Sequence, residues 1–153
     1  SQQRVLRMIE NGRREGAKLH FGGDAPAGLQ QGAYVNPTLF GDVRNDMSIA
    51  RQEIFGPVAS VIPFEGPEEA IAIANDTVYG LAAGIWTKDL NRAMRLVKDV
   101  EAGTVWINSY EDGDMTQPFG GYKQSGHARD KCLESLRSYT QGKSAWFRLD
   151  PAR

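Results

Sequence analysis

The feature that most constrains this 153-residue chain is an alternation of short apolar runs and helical patterns between residues 58 and 108. Residues 58–64 are mostly apolar and of strand length. Gly66-Pro67-Glu68-Glu69 then opens a helix, with proline in its first turn and carboxylates facing the positive end of the dipole; it is expected to run to about Asn75. Residues 81–87 read as the next strand. Asp89 is placed to cap a helix whose apolar stripe is Leu90, Ala93, Met94, Val97 and Val100, Gly103 ends it, and residues 104–108 form a third strand. Strand–helix–strand–helix–strand with short connections points to a doubly wound, mostly parallel α/β sheet.

Around this body the pattern is less regular. Residues 2–15 read as an amphipathic helix with a polar face of Arg4, Arg7, Glu10, Arg13 and Arg14. Residues 17–21 make a short strand. Residues 34–40 make another, interrupted by Asn36-Pro37 in a way that suits an edge or a bend. After Asn108 comes an irregular stretch to His127, then a short helix over residues 129–137 and a final extended segment at residues 144–149, which is expected to pair with another sheet or subunit.

Composition excludes several classes. Apolar residues at 41% and charged residues at 24% are enough for a packed core, so disorder is not expected. A net charge of −1 with interleaved signs argues against a nucleic-acid or anionic-membrane partner, and no apolar run reaches the roughly 20 residues a membrane helix needs. A single cysteine, Cys132, leaves no internal disulfide and suits a reducing, cytoplasmic setting. The sequence opens on Ser1 within a helical pattern, as an excised piece would, and as a chain with a processed initiator methionine also would.

The residues alone show no catalytic group. His20 and His127 are far apart and lack metal-ligand spacing, and Cys132 is expected on the inner face of the short helix as a buried structural cysteine. Gly120-Gly121-Tyr122-Lys123-Gln124-Ser125-Gly126 fails the phosphate-loop pattern because Lys123 and Ser125 are not contiguous; it reads as a tight turn.

Six segments in order nevertheless resemble the aldehyde dehydrogenase superfamily: Glu15-Gly16-Ala17-Lys18-Leu19, Asn36-Pro37-Thr38-Leu39-Phe40, Gln52-Glu53-Ile54-Phe55-Gly56-Pro57-Val58, Tyr79-Gly80-Leu81-Ala82-Ala83-Gly84, Ala102-Gly103-Thr104-Val105-Trp106-Ile107-Asn108 and Pro118-Phe119-Gly120-Gly121-Tyr122-Lys123-Gln124-Ser125-Gly126. The resemblance covers nearly the whole chain. It implies the C-terminal portion of the catalytic domain over residues 1–138 and an extended oligomerisation segment over residues 139–153, in a homodimer or homotetramer. It also implies that the nucleophilic cysteine, the general base and the dinucleotide-binding domain lie upstream, outside this sequence, so that the isolated chain is inactive. The implied reaction is oxidation of an aldehyde to its acid with NAD or NADP: a cysteine thiolate adds to the carbonyl, hydride passes to the nicotinamide, and water releases the acid. The other reading is a truncated, non-catalytic chain serving as a structural or partner-binding module.

The resemblance further implies particular roles. Glu53 matches a carboxylate that accepts hydrogen bonds from the nicotinamide ribose, a task suited to a group that can serve two vicinal hydroxyls. Phe55 matches the aromatic against the nicotinamide, and Arg4 falls where a lysine often lies near the adenosine ribose. Phe119 matches a substrate-tunnel aromatic and Asp130 an acid implicated in proton exit, although Ala128 replaces a usual glycine and Gln52 a usual glutamate. Residues 110–116 fall at the substrate entrance. Their carboxylates, Asp112 and Asp114 foremost, fit either a solvated acidic loop or attraction of a cationic substrate. The stretch is similar to bacterial enzymes acting on γ-glutamyl-γ-aminobutyraldehyde and other ω-amino aldehydes.

Overall fold

The computed structural model describes residues 1–29 and 31–149. Its contacts gather into two compact units, Ser1–Val78 and Tyr79–Arg153.

In the first unit, α1 (Gln2–Arg14) buries Val5, Met8, Ile9 and Gly12, the i, i+3, i+4, i+7 face that the sequence spacing specified. It ends at Glu15, whose amide reaches the Asn11 carbonyl. Strands β1 (Lys18–Phe21) and β2 (Thr38–Gly41) pair antiparallel, with a register irregularity between Leu19 and Phe21. A one-turn helix, α2 (Ser48–Arg51), precedes β3 (Val58–Ser60), which pairs parallel with β2. Of the edge or bend that Asn36-Pro37 suggested, the edge is ruled out, since β2 is the central strand of this sheet. Proline is accommodated because the strand begins one residue after it, so no ladder amide is missing. Phe40, fully buried, lies at the centre of a core with Val5, Met8, Ile9, Ala17, Val43, Met47, Ile49 and Ile54. Helix α3 (Gly66–Asn75) carries proline in its first turn, and the Glu69 carboxylate returns to accept from the Glu65 amide.

In the second unit, β4 (Tyr79–Gly80) leads to β5 (Ala82–Ile85), α4 (Leu90–Asp99) and β6 (Thr104–Ile107). β5 and β6 are parallel and in register from Ala82↔Thr104 to Ile85↔Ile107, a βαβ unit with α4 as its crossover. Asp89 caps α4 by accepting from the Arg92 amide. Only Ala93 of the apolar stripe is buried in this chain, while Leu90 and Met94 remain exposed. β7 (Tyr122–Lys123) pairs antiparallel with β4.

The fold is thus α/β, with α3 and the crossover helix α4 where the sequence placed them. The expected run of parallel strands is divided, however: β3 bonds to β2, and β5 to β6, in separate short sheets. The C-terminal elements also differ from expectation. A 3₁₀ helix spans Leu133–Tyr139, starting later than residue 129, because Lys131 and Cys132 both adopt left-handed backbone and interrupt any earlier turn. Cys132 therefore stands at the helix N-cap, half-buried, and not on a buried inner face. Residues 141–149 form no strand within the chain. The expected division at residue 138 separates roles; the packing units meet at residues 78 and 79. Among the described residues no helix is long and apolar enough to cross a bilayer.

Candidate active-site surfaces

The segment after α2 turns sharply. Ile54 is buried in the first unit's core, so its neighbours Glu53 and Phe55 are both turned outward, and Phe55 is 82% exposed. A side chain of that size left in solvent is a candidate contact for something else. Phe55 also adopts φ 57°, a left-handed conformation costing about 1–2 kcal/mol for a residue with a Cβ. Such strain persists where the surroundings dictate it. Here they do: a Cβ on Gly56 would stand 2.7 Å from a Val5 methyl, and the Arg4 guanidinium donates to the Ile54 carbonyl at 2.7 Å and the Glu53 carbonyl at 2.5 Å. Of the three residues expected near a cofactor, Glu53 and Phe55 project from one turn and Arg4 holds that turn by its backbone.

The second unit contains an open cleft of about 340 Å³. It gathers Asp112, Asp114 and Phe119, the residues expected at the substrate entrance, with Trp106, Tyr110 and Lys131. Sequence reasoning missed Trp106 and Lys131; Tyr110 falls in the 110–116 stretch expected at the entrance. Trp106 was visible in principle, since Thr104 and Trp106 alternate along β6 and both face the cleft. Trp106 and Tyr110 rings stack at a tilt with centroids 5.2 Å apart, and the indole N–H donates to the Asp112 carbonyl at 2.6 Å. The Lys131 ammonium lies 5.4 Å from the Phe119 ring centroid.

The loop is closed by its own polar groups. Asp114 accepts from the Thr116 amide and hydroxyl, and these bonds, hydroxyl first, hold its carboxyl below the usual aspartate range. Asp112 accepts from the Gly113 amide. Phe119 and Asp130 form an antiparallel backbone bridge, and the Cys132 amide reaches the Met115 carbonyl. Asp130 presents an exposed side chain next to that bridge. At the end of β6, Asn108 turns left-handed and its side-chain amide takes both the N–H and the carbonyl of Thr87, each at 2.9 Å. Gly103 is needed where it stands, because a Cβ there would lie 1.8 Å from the Gly120 carbonyl oxygen.

The aldehyde dehydrogenase family model matches residues 1–145, nearly the full chain.

The chain belongs to the aldehyde dehydrogenase family.

Among curated family members it is 47% identical to a betaine aldehyde dehydrogenase of Brucella anthropi over 148 residues, covering 95% of this chain and 30% of that protein. Two solved aldehyde dehydrogenases superpose closely. KauB of Pseudomonas aeruginosa is 53% identical with a TM-score of 0.90, and the indole-3-acetaldehyde dehydrogenase AldA of P. syringae, solved with NAD+ and IAA, is 51% identical with a TM-score of 0.89. Each is covered over 97% of this chain and 30% of the other. The chain therefore spans about 30% of the length of the aldehyde dehydrogenases it matches.

Proposed function

We propose that this chain works as the C-terminal part of the catalytic domain of an NAD(P)-dependent aldehyde dehydrogenase, with Glu53 and Phe55 at the nicotinamide end of the cofactor. The observation that carries the reading is the turn at residues 53–56, which buries Ile54 and offers a carboxylate and an aromatic ring together. The pair fits the group: the carboxylate accepts from vicinal ribose hydroxyls and the ring limits the positions of a planar heterocycle. When bound, the nicotinamide supplies the hydride acceptor. The protein's own contribution is to orient, through side chains whose backbone is already fixed. The nucleophilic thiolate and the general base belong to sequence this chain does not contain.

The cleft of the second unit is the aldehyde entrance in this reading, with Phe119 lining the path and Asp130 in proton exit. Three carboxylates, Glu111, Asp112 and Asp114, line it against one ammonium, Lys131, beside the rings of Trp106, Tyr110 and Phe119. Negative charge over aromatic faces favours a cationic chain, so an ω-amino or related γ-glutamylamino aldehyde is the substrate class proposed. Trp146, Phe147 and Leu149, each at least 85% exposed in the single chain, support association of residues 139–153 with a second copy, in a homodimer or homotetramer. The lone cysteine, which commits the chain to no internal disulfide, supports a reducing, cytoplasmic setting.

The test is Glu53→Gln in an intact dehydrogenase carrying this sequence. Slower hydride transfer, on the order of tenfold, is expected from loss of a charged acceptor. Unchanged hydride transfer and unchanged NAD(P) binding would remove Glu53 from the site.

A further inference from the structure

The guanidinium of Arg4 is committed to main chain, and we propose that Arg4 is a positioning residue for the Glu53–Phe55 turn and not a contact to the cofactor; this rests on the reading of Glu53 and Phe55 above. Its Nη1 donates to the Ile54 carbonyl and its Nη2 to the Glu53 carbonyl. Consecutive carbonyls diverge in extended backbone, so one planar fork that holds both fixes the torsions between them. Lysine, whose three donors radiate from one freely rotating nitrogen, lacks the planar fork that sets this geometry.

The same helix fixes the far end of the turn. The Val5 methyl groups lie 2.7 and 2.8 Å from where a Gly56 Cβ would be, so the backbone of residue 56 is pressed against α1 one residue on from the Arg4 fork. Ile54 anchors the middle in the core. These three holds flank Phe55 in its left-handed backbone, and its ring is presented outward. Neighbouring residues 4 and 5 of one helix thus decide where the carboxylate of residue 53 and the ring of residue 55 stand. Each terminal nitrogen spends one N–H on main chain, so the Arg4 fork is held against the turn and its reach toward a ribose or phosphate is restricted.

The experiment uses an intact dehydrogenase carrying this sequence, with Arg4→Lys, Arg4→Gln and Glu53→Gln separately and Arg4→Gln combined with Glu53→Gln. Three quantities are read: the dissociation constant for NAD, the single-turnover hydride-transfer rate, and amide hydrogen exchange at residues 53–56. Arg4→Lys, which keeps the charge and the helix, and Arg4→Gln are both expected to slow hydride transfer by about tenfold or more, to leave the dissociation constant within about twofold, and to speed exchange at residues 53–56. In the Glu53→Gln background Arg4→Gln is expected to add little, because both act through one turn. A weaker dissociation constant with hydride transfer intact would make Arg4 a direct cofactor contact and overturn the proposal. Unchanged exchange at residues 53–56 would overturn it whatever Glu53 does. Exchange that responds to Arg4 while Glu53→Gln is silent in all kinetic terms would remove the cofactor role of the turn, and Arg4 would then be a structural brace alone.

Discussion

Arg51 and Asp76 face each other as a planar pair: Nη1 meets Oδ1 at 2.9 Å and Nη2 meets Oδ2 at 2.5 Å, while Nη1 also donates to the Asp76 carbonyl at 2.6 Å. Asn45 adds a bond to Asp76 Oδ2 at 2.8 Å. The pair ties the last residue of α2 to the C-cap of α3, and donating to the Asp76 carboxylate raises the Arg51 pKa above its usual value. Both side chains remain in contact with solvent, so salt should weaken the tie. Arg51→Ala is therefore expected to lower the melting temperature of the first unit at low ionic strength, with the difference from the parent shrinking in 1 M NaCl, near which the Debye length is about 3 Å. A calorimetric scan at two salt concentrations checks this; a salt-independent loss would mean that the pair acts by packing.

Gly56→Ala places a methyl 2.7 Å from a methyl of Val5, a buried residue of the core. A loss of about 1–3 kcal/mol is expected from overpacking, measured by urea unfolding. The clash is local, so adding Val5→Ala should cost less in the Gly56→Ala background than alone. Strict additivity of the two changes would show that they do not meet.

Much of the fold was legible because local signals agreed with tertiary ones. Glu68 and Glu69 after Pro67, Asp89 before Leu90 and the burial face of α1 each specify an element by chemistry within one or two turns. What was not legible depends on long-range partners. Sequence could not tell that β2, after Asn36-Pro37, sits between two neighbours, or that β3 bonds to β2 and not onward to β5. The four residues of α2 are too few for periodicity to register. At the candidate site, the resemblance singled out Glu53, Phe55 and Phe119. The Arg4 fork escaped notice because its partners are carbonyls about 50 positions away, which carry no sequence signature.

Acid should loosen the cleft rim at Asp114. The Thr116 bonds favour its charged form and hold the pKa below that of an unfolded aspartate. A depressed value means that the stabilisation is fully present above the unfolded pKa and is lost as pH falls through the folded one. The Thr116 amide resonance is expected to hold its position at neutral pH and to shift only below the ordinary aspartate range. Following that resonance in an NMR titration decides it; a midpoint at or above the ordinary value would show that the turn does not engage the carboxylate. Thr116→Val should move the midpoint up toward the ordinary range by removing the hydroxyl bond, while the amide bond stays.

If the acidic lining selects cationic aldehydes, Asp112→Asn in an intact dehydrogenase carrying this sequence should raise KM for an ω-amino aldehyde several-fold and leave that for a neutral aldehyde of equal length nearly unchanged, an effect of about 1 kcal/mol for a partly solvated charge pair. The difference should shrink in high salt. Equal changes for both substrates would assign Asp112 to loop structure alone.

The 153-residue chain alone is expected to produce no NADH with any aldehyde, since its one thiol, Cys132, is half-buried at a helix cap beside the Met115 carbonyl. Spectrophotometry of NADH formation checks this directly. Turnover abolished by Cys132→Ser would place a nucleophile within the chain and displace the proposed division of labour.

The Asn108 clamp on Thr87 has a consequence for how such a chain can change over time. By taking both peptide groups of Thr87, the asparagine supplies one more rung where the β5–β6 ladder would otherwise fray, and it does so without using any residue of the loop that follows. The sheet is finished before the loop begins. Side-chain charges in residues 110–117 can then be rewritten while the end of the ladder stays clamped, so that, in the proposed reading, the entrance can change its preference on one scaffold.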